Sequence, residues 1–256
     1  MIKIGMPELF EYDNIEDNFK LAKELDLDFI ELNLNFSNTR KLMEEDKIYD
    51  LLNKYNLVAT LHFFDEADFA GLDLVVDAYL NLLDKYLSLG SKYIKQVNVH
   101  LQKGPIVTIS GTKNYIYQKE YEIFIKRLIN NLYKAKNIAK KYNINLVIEN
   151  TEDLPLFFKD VYKDLYNNDF RFCYDIGHDH ISGNIVLDVL NEYNLKFDEF
   201  HIHDAKNKNK CHLSLGEGEL DIKKYKELSE KNNSYVVIEV KSSKDLINSI
   251  PIFKKL

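Results

Sequence analysis

The chain has 256 residues, is 45% hydrophobic and 29% charged, and carries a formal net charge of -7 with nine Gly, four Pro and two Cys. That length suits one α/β barrel, and no low-complexity or Gly/Pro-rich tract marks a linker, so a single domain over residues 1–256 is expected. An acidic chain with dispersed lysines does not advertise phosphate-backbone binding, Cys173 and Cys211 stand too far apart for a thiolate zinc cluster or a disulfide framework, and no apolar run reaches membrane-spanning length, so a small-molecule partner in a reducing cytoplasm is expected.

Short β-rich apolar runs alternate with longer amphipathic stretches from the first residues onward. The start, MIKIGMPELF, lacks the pattern of a signal peptide and reads as a strand from Ile2 to Met6. Further strands are predicted at Asp28 to Asn33, Leu57 to Phe63, Tyr93 to His100, Ile144 to Glu149, Phe170 to Asp175, Phe197 to His203 and Tyr235 to Val240. Between them lie helical patterns such as IEDNFKLAKELDL, GLDLVVDAYLNLLDKYLSLG and YEIFIKRLINNLYKAKNIAKKY, each with one apolar face to bury. Eight β-α units in strict alternation imply parallel strands with right-handed crossovers and are the number that closes a (β/α)8 TIM barrel. A doubly wound open sheet is the second choice, weakened by the absence of any G-x-G-x-x-G or Walker pattern.

A barrel places its active site at the C-terminal ends of the strands, and the histidines gather there. All seven, His62, His100, His178, His180, His201, His203 and His212, lie at or just beyond the ends of the third, fourth, sixth and seventh predicted strands, while Glu149, Asp175 and Glu239 end later ones. Carboxylates buried after apolar runs are costly unless paired or metal-bound, and imidazoles with carboxylates form the donor set that zinc, manganese or iron prefer. Competing readings are structural ion pairs for Glu149 and Glu239, a helix N-cap for Asp175, core packing for His62, His100 and Cys173, and a plain loop position for His180. Phe10, Phe36, Phe63 and Phe64 fall where they could wall an apolar edge of a pocket.

The motifs LVIEN (146–150), FCYDIGH (172–178), HIHDAK (201–206), HLSLGEGELD (212–221) and VVIEV (236–240), in that order, resemble the xylose isomerase-like barrel superfamily, which includes sugar isomerases and epimerases as well as endonuclease IV, the AP endonuclease family 2. The resemblance implies that Glu149, Asp175, His201 and Glu239 bind a divalent metal, zinc or manganese. It implies further that Glu149 and Glu239 exchange a substrate proton from opposite faces, and that His178, His203, His212 and Lys206 contact substrate. His62 and His100 fall where the endonuclease branch holds a second metal bridged by Glu149. For a third metal His178 and His212 match, but Lys210 stands where that branch has an aspartate, and a cation there would repel zinc.

The expected function is therefore a metal-dependent sugar or sugar-phosphate isomerase or epimerase, with one metal at the principal site and room for a second. It would transfer a proton through a metal-stabilised enediolate with Glu149 and Glu239 as base and acid. The alternatives are a zinc-dependent apurinic-site phosphodiesterase, which would need a DNA-binding rim where Arg40 is the one arginine of the early loops, and a non-catalytic metal-binding barrel. Nucleic acid is the less expected partner, a membrane is not expected, and a homo-oligomer stays open.

Overall fold

The computed structural model describes residues 2–193, 195–207 and 209–256. Eight strands, β1 (Lys3–Pro7), β2 (Phe29–Asn33), β3 (Val58–His62), β4 (Ile94–His100), β5 (Asn145–Glu149), β6 (Phe172–Asp175), β7 (Phe197–Ile202) and β8 (Tyr235–Ile238), close into a barrel in chain order with β8 back beside β1. Every barrel pair is parallel. The single (β/α)8 architecture is thus present and the open sheet is ruled out.

Alternation along the strands sorts side chains onto two surfaces. Ile30, Leu32, Leu61, Val97, Val99, Ile148, Tyr174, Phe200, Ile202 and Ile238 join the main core under the helices. Phe29, Val147, Cys173 and Val237 are equally buried but belong to the separate filling of the barrel. At its lower end Phe29 fills the axis against Gly5, where a Cβ would stand 2.6 Å from Phe29 Cζ. Higher up the filling turns polar, with Thr60, Gln96, Asn98, Glu31 and Glu199 all buried.

The amphipathic stretches form as their periodicity predicts. Ile15–Glu24 is started by Asn14, whose side chain accepts from Glu16 N, and Tyr121–Lys141 buries Phe124, Leu128, Leu132, Ala135 and Ala139 at helical spacing. Eleven helices occur among the described residues instead of eight, because three connections are subdivided. Asp46, at φ 55°, splits Ser37–Glu44 from Lys47–Tyr55, and Gly183 and Asn184, at φ 87° and 63°, split Ile176–Ile181 from Ile185–Tyr193. The short helix Ile116–Lys119 precedes Tyr121–Lys141.

Two β-hairpins were not foreseen. One pairs Ile106–Ile109 with Thr112–Tyr115 across Ser110 and Gly111, both at positive φ as tight hairpin turns demand. The other pairs Asp204–Lys206 with Lys210–Leu213 just beyond β7. No described helix is long and apolar enough to cross a membrane.

Candidate metal centre and active site

Strand register assembles the barrel mouth. His100 is level with Glu149 across β4 and β5, Asp175 with His201 across β6 and β7, and Val237 with His201 across β7 and β8, which leaves Glu239 just above. One donor atom from each of Glu149, Asp175, His201 and Glu239 lies within 4.8 Å of the others, and all four residues are buried. Glu149 Oε1 is 3.0 Å from His201 Nδ1, and Glu239 Oε2 is 3.4 Å from the same nitrogen.

Neighbouring charges decide the ionisation of these acids. Burial would push the Glu149 carboxyl up, but the imidazoles of His201 and His100 outweigh it and hold Glu149 well below the usual range. For Glu239 burial is likewise overcome, here by Lys241 and His201. Lys241 Nζ donates to Glu239 Oε1 at 2.7 Å, so the ion-pair reading of Glu239 is partly realised, by a lysine only two residues away. Asp175 is the N-cap of Ile176–Ile181, Oδ1 accepting the His178 backbone N–H at 2.7 Å, and its carboxylate also faces the cluster.

Hydrogen bonds set the histidine tautomers. His62 Nδ1 lies 2.9 Å from the Phe63 carbonyl, which can only accept, so the proton sits on Nδ1 and the Nε2 lone pair points toward Glu149 Oε2 at 3.6 Å. His100 Nε2 is 3.4 Å from the same oxygen, and the two rings meet edge to face at 4.7 Å. His62, His100 and Glu149 therefore form a second trio, with Asp65 Oδ1 3.4 Å from His62 Nδ1 behind it. Asn98 also donates to Glu149 Oε2.

On the other flank His178, His203 and His212 bring their donors within 4.8 Å of one another. His203 is fully buried; its Nδ1 accepts the His212 backbone N–H at 2.8 Å, so its proton sits on Nε2, 3.0 Å from Asp175 Oδ1. Both nitrogens are spent, which makes His203 a buttress for Asp175 where a substrate contact was expected. His212 is part-exposed, with Nδ1 on the Glu239 carbonyl at 3.0 Å, and burial pushes it down to about 4, leaving it neutral. Lys206 is exposed, opposite Lys210 in the hairpin, and has no hydrogen bond or ion pair among the described residues. His180, expected in a loop, lies instead in the helix Ile176–Ile181, with Nε2 2.8 Å from Glu219 Oε1.

Several participants were not anticipated. Glu31, buried in β2, faces His201 Nε2 at 3.4 Å. Beneath it burial, reinforced by Glu31, raises Glu199 well above the usual carboxylate range, and Gln96 donates to it at 2.8 Å. Cys173, expected to be plain core, is buried with its donor atom close to those of Glu149 and His201. Of the four aromatic candidates, Phe63 packs into the core at 1% exposure, whereas Phe10 rests on Phe36 at 5.6 Å and both line a cavity of about 400 Å³ beside the mouth. Cavities of about 700 and 760 Å³ lie among the outer helices, lined by none of the clustered histidines.

The donor set suits a divalent cation. Glu239 Oε2 and His100 Nε2 are buried with no hydrogen-bond partner among the described residues, and oxygens of Glu149 and Glu239 both converge on His201 Nδ1, which has at most one proton to offer. A buried carboxylate oxygen without a partner is costly, and a cation ligated by carboxylate and imidazole removes that cost.

The model of the xylose isomerase-like TIM barrel matches residues 19–255. The chain belongs to this family. A protein of Methanocaldococcus jannaschii described as uncharacterized is 25% identical over 248 residues, covering 95% of this chain and 93% of its own. Among solved structures, a D-tagatose 3-epimerase-like protein superposes with a TM-score of 0.81 at 19% identity, covering 99% of this chain and 96% of that one. The 3-keto-D-glucoside 4-epimerase YcjR from E. coli gives 0.78 at 16% identity over all of both chains. The IOLI protein with a binding zinc atom gives 0.72 at 14% identity, over 99% and 96%. At these identities the structural likenesses show the shared family fold.

Proposed function

We propose that the protein is a divalent-metal-dependent isomerase or epimerase of small sugars or sugar phosphates, moving a proton on and off the carbon beside a carbonyl. One observation carries the reading: two buried carboxylates from β5 and the end of β8, Glu149 and Glu239, converge on one nitrogen of His201 at 3.0 and 3.4 Å and are both held ionised. The family membership and the sugar epimerases among the fold's solved relatives agree with it.

In this reading Glu149, Asp175, Glu239 and His201 Nδ1 hold the cation, zinc or manganese by donor type, and His62 and His100 offer a second position shared with Glu149. The chemistry such a cation supplies when bound is Lewis acidity, which stabilises the negative charge growing on a carbonyl oxygen as the neighbouring carbon loses its proton. One of Glu149 and Glu239, ionised before substrate arrives, takes that proton; the other, after accepting a proton from water, returns it to the opposite face, and the first then gives its proton back to water. Lys241 and the histidines set how readily each carboxylate accepts it. His178 and neutral His212 stand beside Asp175 to bind substrate hydroxyls, His203 holds Asp175 in place, and Phe10 with Phe36 gives the sugar an apolar wall.

Phosphodiester cleavage is less well supported. Arg40, the basic residue of the early loops, donates inward to the Leu34 and Asn35 carbonyls and does not form a rim for a phosphate backbone.

The test is incubation of metal-loaded protein with a panel of ketoses in D2O, reading deuterium at the carbon beside the carbonyl. Exchange that vanishes in Glu149→Gln and Glu239→Gln is expected. No exchange with any ketose, together with cleavage of abasic DNA, would overturn the proposal.

A further inference from the structure

A second group of donors stands at the rim, apart from the four-residue cluster. A carboxylate oxygen of Glu152, a ring nitrogen of His178 and Sγ of Cys211 lie within 4.8 Å of one another. They come from three successive connections above the mouth: the segment after β5, the helix Ile176–Ile181 after β6 and the hairpin after β7. Their convergence depends on one backbone feature. In a regular strand Cys211 and His212 would point to opposite faces, but His212 adopts φ 54°, which breaks the alternation, and the donors of both residues come close to His178.

The three are little used elsewhere: His178 Nδ1 only faces Asp175 Oδ2, at 3.4 Å. His178 Nδ1 is buried without a hydrogen bond, and among the described residues neither the Glu152 carboxylate nor the Cys211 thiol has a hydrogen-bond or ion-pair partner. Lys103 reaches Glu152 only at its backbone carbonyl. Glu152 is exposed and the other two are half-buried, so the group is open to solvent.

We propose that Glu152, His178 and Cys211 form a rim site for a borderline-soft divalent cation, zinc first, bound through a thiolate. One nitrogen, one sulfur and one oxygen donor match what zinc accepts, and two anionic ligands neutralise its charge and offset the repulsion of Lys210, which precedes Cys211 and is exposed to solvent. The thiol proton leaves to water as the ion binds, with no change of oxidation state. Three protein ligands leave a fourth position for water or substrate, and the ion ties the three connections together. His178 keeps its other ring nitrogen for substrate. The site does not depend on the sugar reading, and a thiolate ligand gives it a signature that nitrogen and oxygen ligands lack.

Titration of the full chain with Co²⁺ provides the test, because thiolate-to-cobalt charge transfer absorbs in the near ultraviolet. The wild-type chain should develop this band. Cys211→Ser should abolish it and lower the bound metal by one per chain, and Glu152→Gln should weaken the cobalt affinity read from the band. Cys173→Ala and Glu149→Gln, which strike the neighbouring cluster, should leave the band in place even where activity is lost. A wild-type chain without the band, a band that survives Cys211→Ser, or a band lost in Cys173→Ala or Glu149→Gln would overturn the proposal. Far-ultraviolet circular dichroism of each variant separates loss of the site from loss of fold.

Discussion

His201 is held between two acids on opposite sides of its ring: Nδ1 faces Glu149 at 3.0 Å, and Nε2 faces Glu31 Oε2 at 3.4 Å. An imidazole that ligates through one nitrogen is oriented by what the other nitrogen meets, and a carboxylate beside Nε2 keeps the proton there when Nδ1 gives up its own to a cation. Glu31→Gln keeps the shape but removes the charge, so the divalent-cation affinity should fall by roughly 10–100-fold, the range typical of losing such a support. Chelator competition at fixed pH measures it. An unchanged affinity would mean that Glu31 serves the barrel filling alone.

Lys241 acts in the opposite direction. Desolvation at the mouth would lower its ammonium, but the Glu239 carboxylate outweighs this and holds Lys241 above the usual lysine range, so it stays charged beside the cluster. A cation at that position competes for Glu239 and repels a divalent ion. Lys241→Met should therefore tighten metal binding near neutral pH by roughly tenfold, as expected from removing one unit charge a few ångströms away that is screened as in water because the ammonium is exposed. Weaker binding, seen by calorimetry, would show instead that Lys241 holds Glu239 in its ligating rotamer.

These two residues also mark where the sequence stops being legible. Strand ends were readable because a carboxylate after three or four apolar residues breaks the pattern abruptly, as Glu149, Asp175 and Glu239 do, and β-α alternation then closed the barrel and put those ends together. Glu31 gave no such break, since FIELN also reads as an ordinary strand with one polar face. Lys241 is one lysine among many, and only the exit geometry of β8 folds it back on Glu239. The hairpin at Ile106–Ile109 had a readable Ser-Gly turn, but the hairpin after β7 is short and its left-handed His212 has no sequence signature.

Gly177, in the FCYDIGH motif, is a packing requirement of the site. A Cβ there would stand 2.0 Å from His203 Cε1, far inside contact distance, and the His203 ring is fully buried and fixed on Asp175. Gly177→Ala should push His203 off Asp175 and cost about 1–3 kcal/mol, the usual range for overpacking. Combining it with His203→Ala removes the clash, so denaturant unfolding should show the double variant more stable than the sum of the two losses. Simple additivity would place the strain elsewhere.

Glu8, just after β1, supplies a pH dependence separate from the metal cluster. Burial pushes its carboxyl up to about 7, against hydrogen bonds from Thr39 Oγ1 at 2.5 Å and Asn33 N at 3.0 Å that would lower it. The unfolded chain loses this proton near the ordinary glutamate value of 4.5, whereas the native state keeps it to about 7. Between those values the native state binds more protons, so stability falls as pH rises and levels off above about 7. At about 1.4 kcal/mol per unit the loss is roughly 3 kcal/mol. Glu8→Gln keeps an acceptor for Thr39 and has no charge to bury, so urea unfolding near pH 8 should find it more stable than the wild type, with the difference closing toward pH 5. A wild-type stability that instead rises across that interval would show that Glu8 stays ionised in the fold, held by Thr39 and the Asn33 amide against the cost of burial.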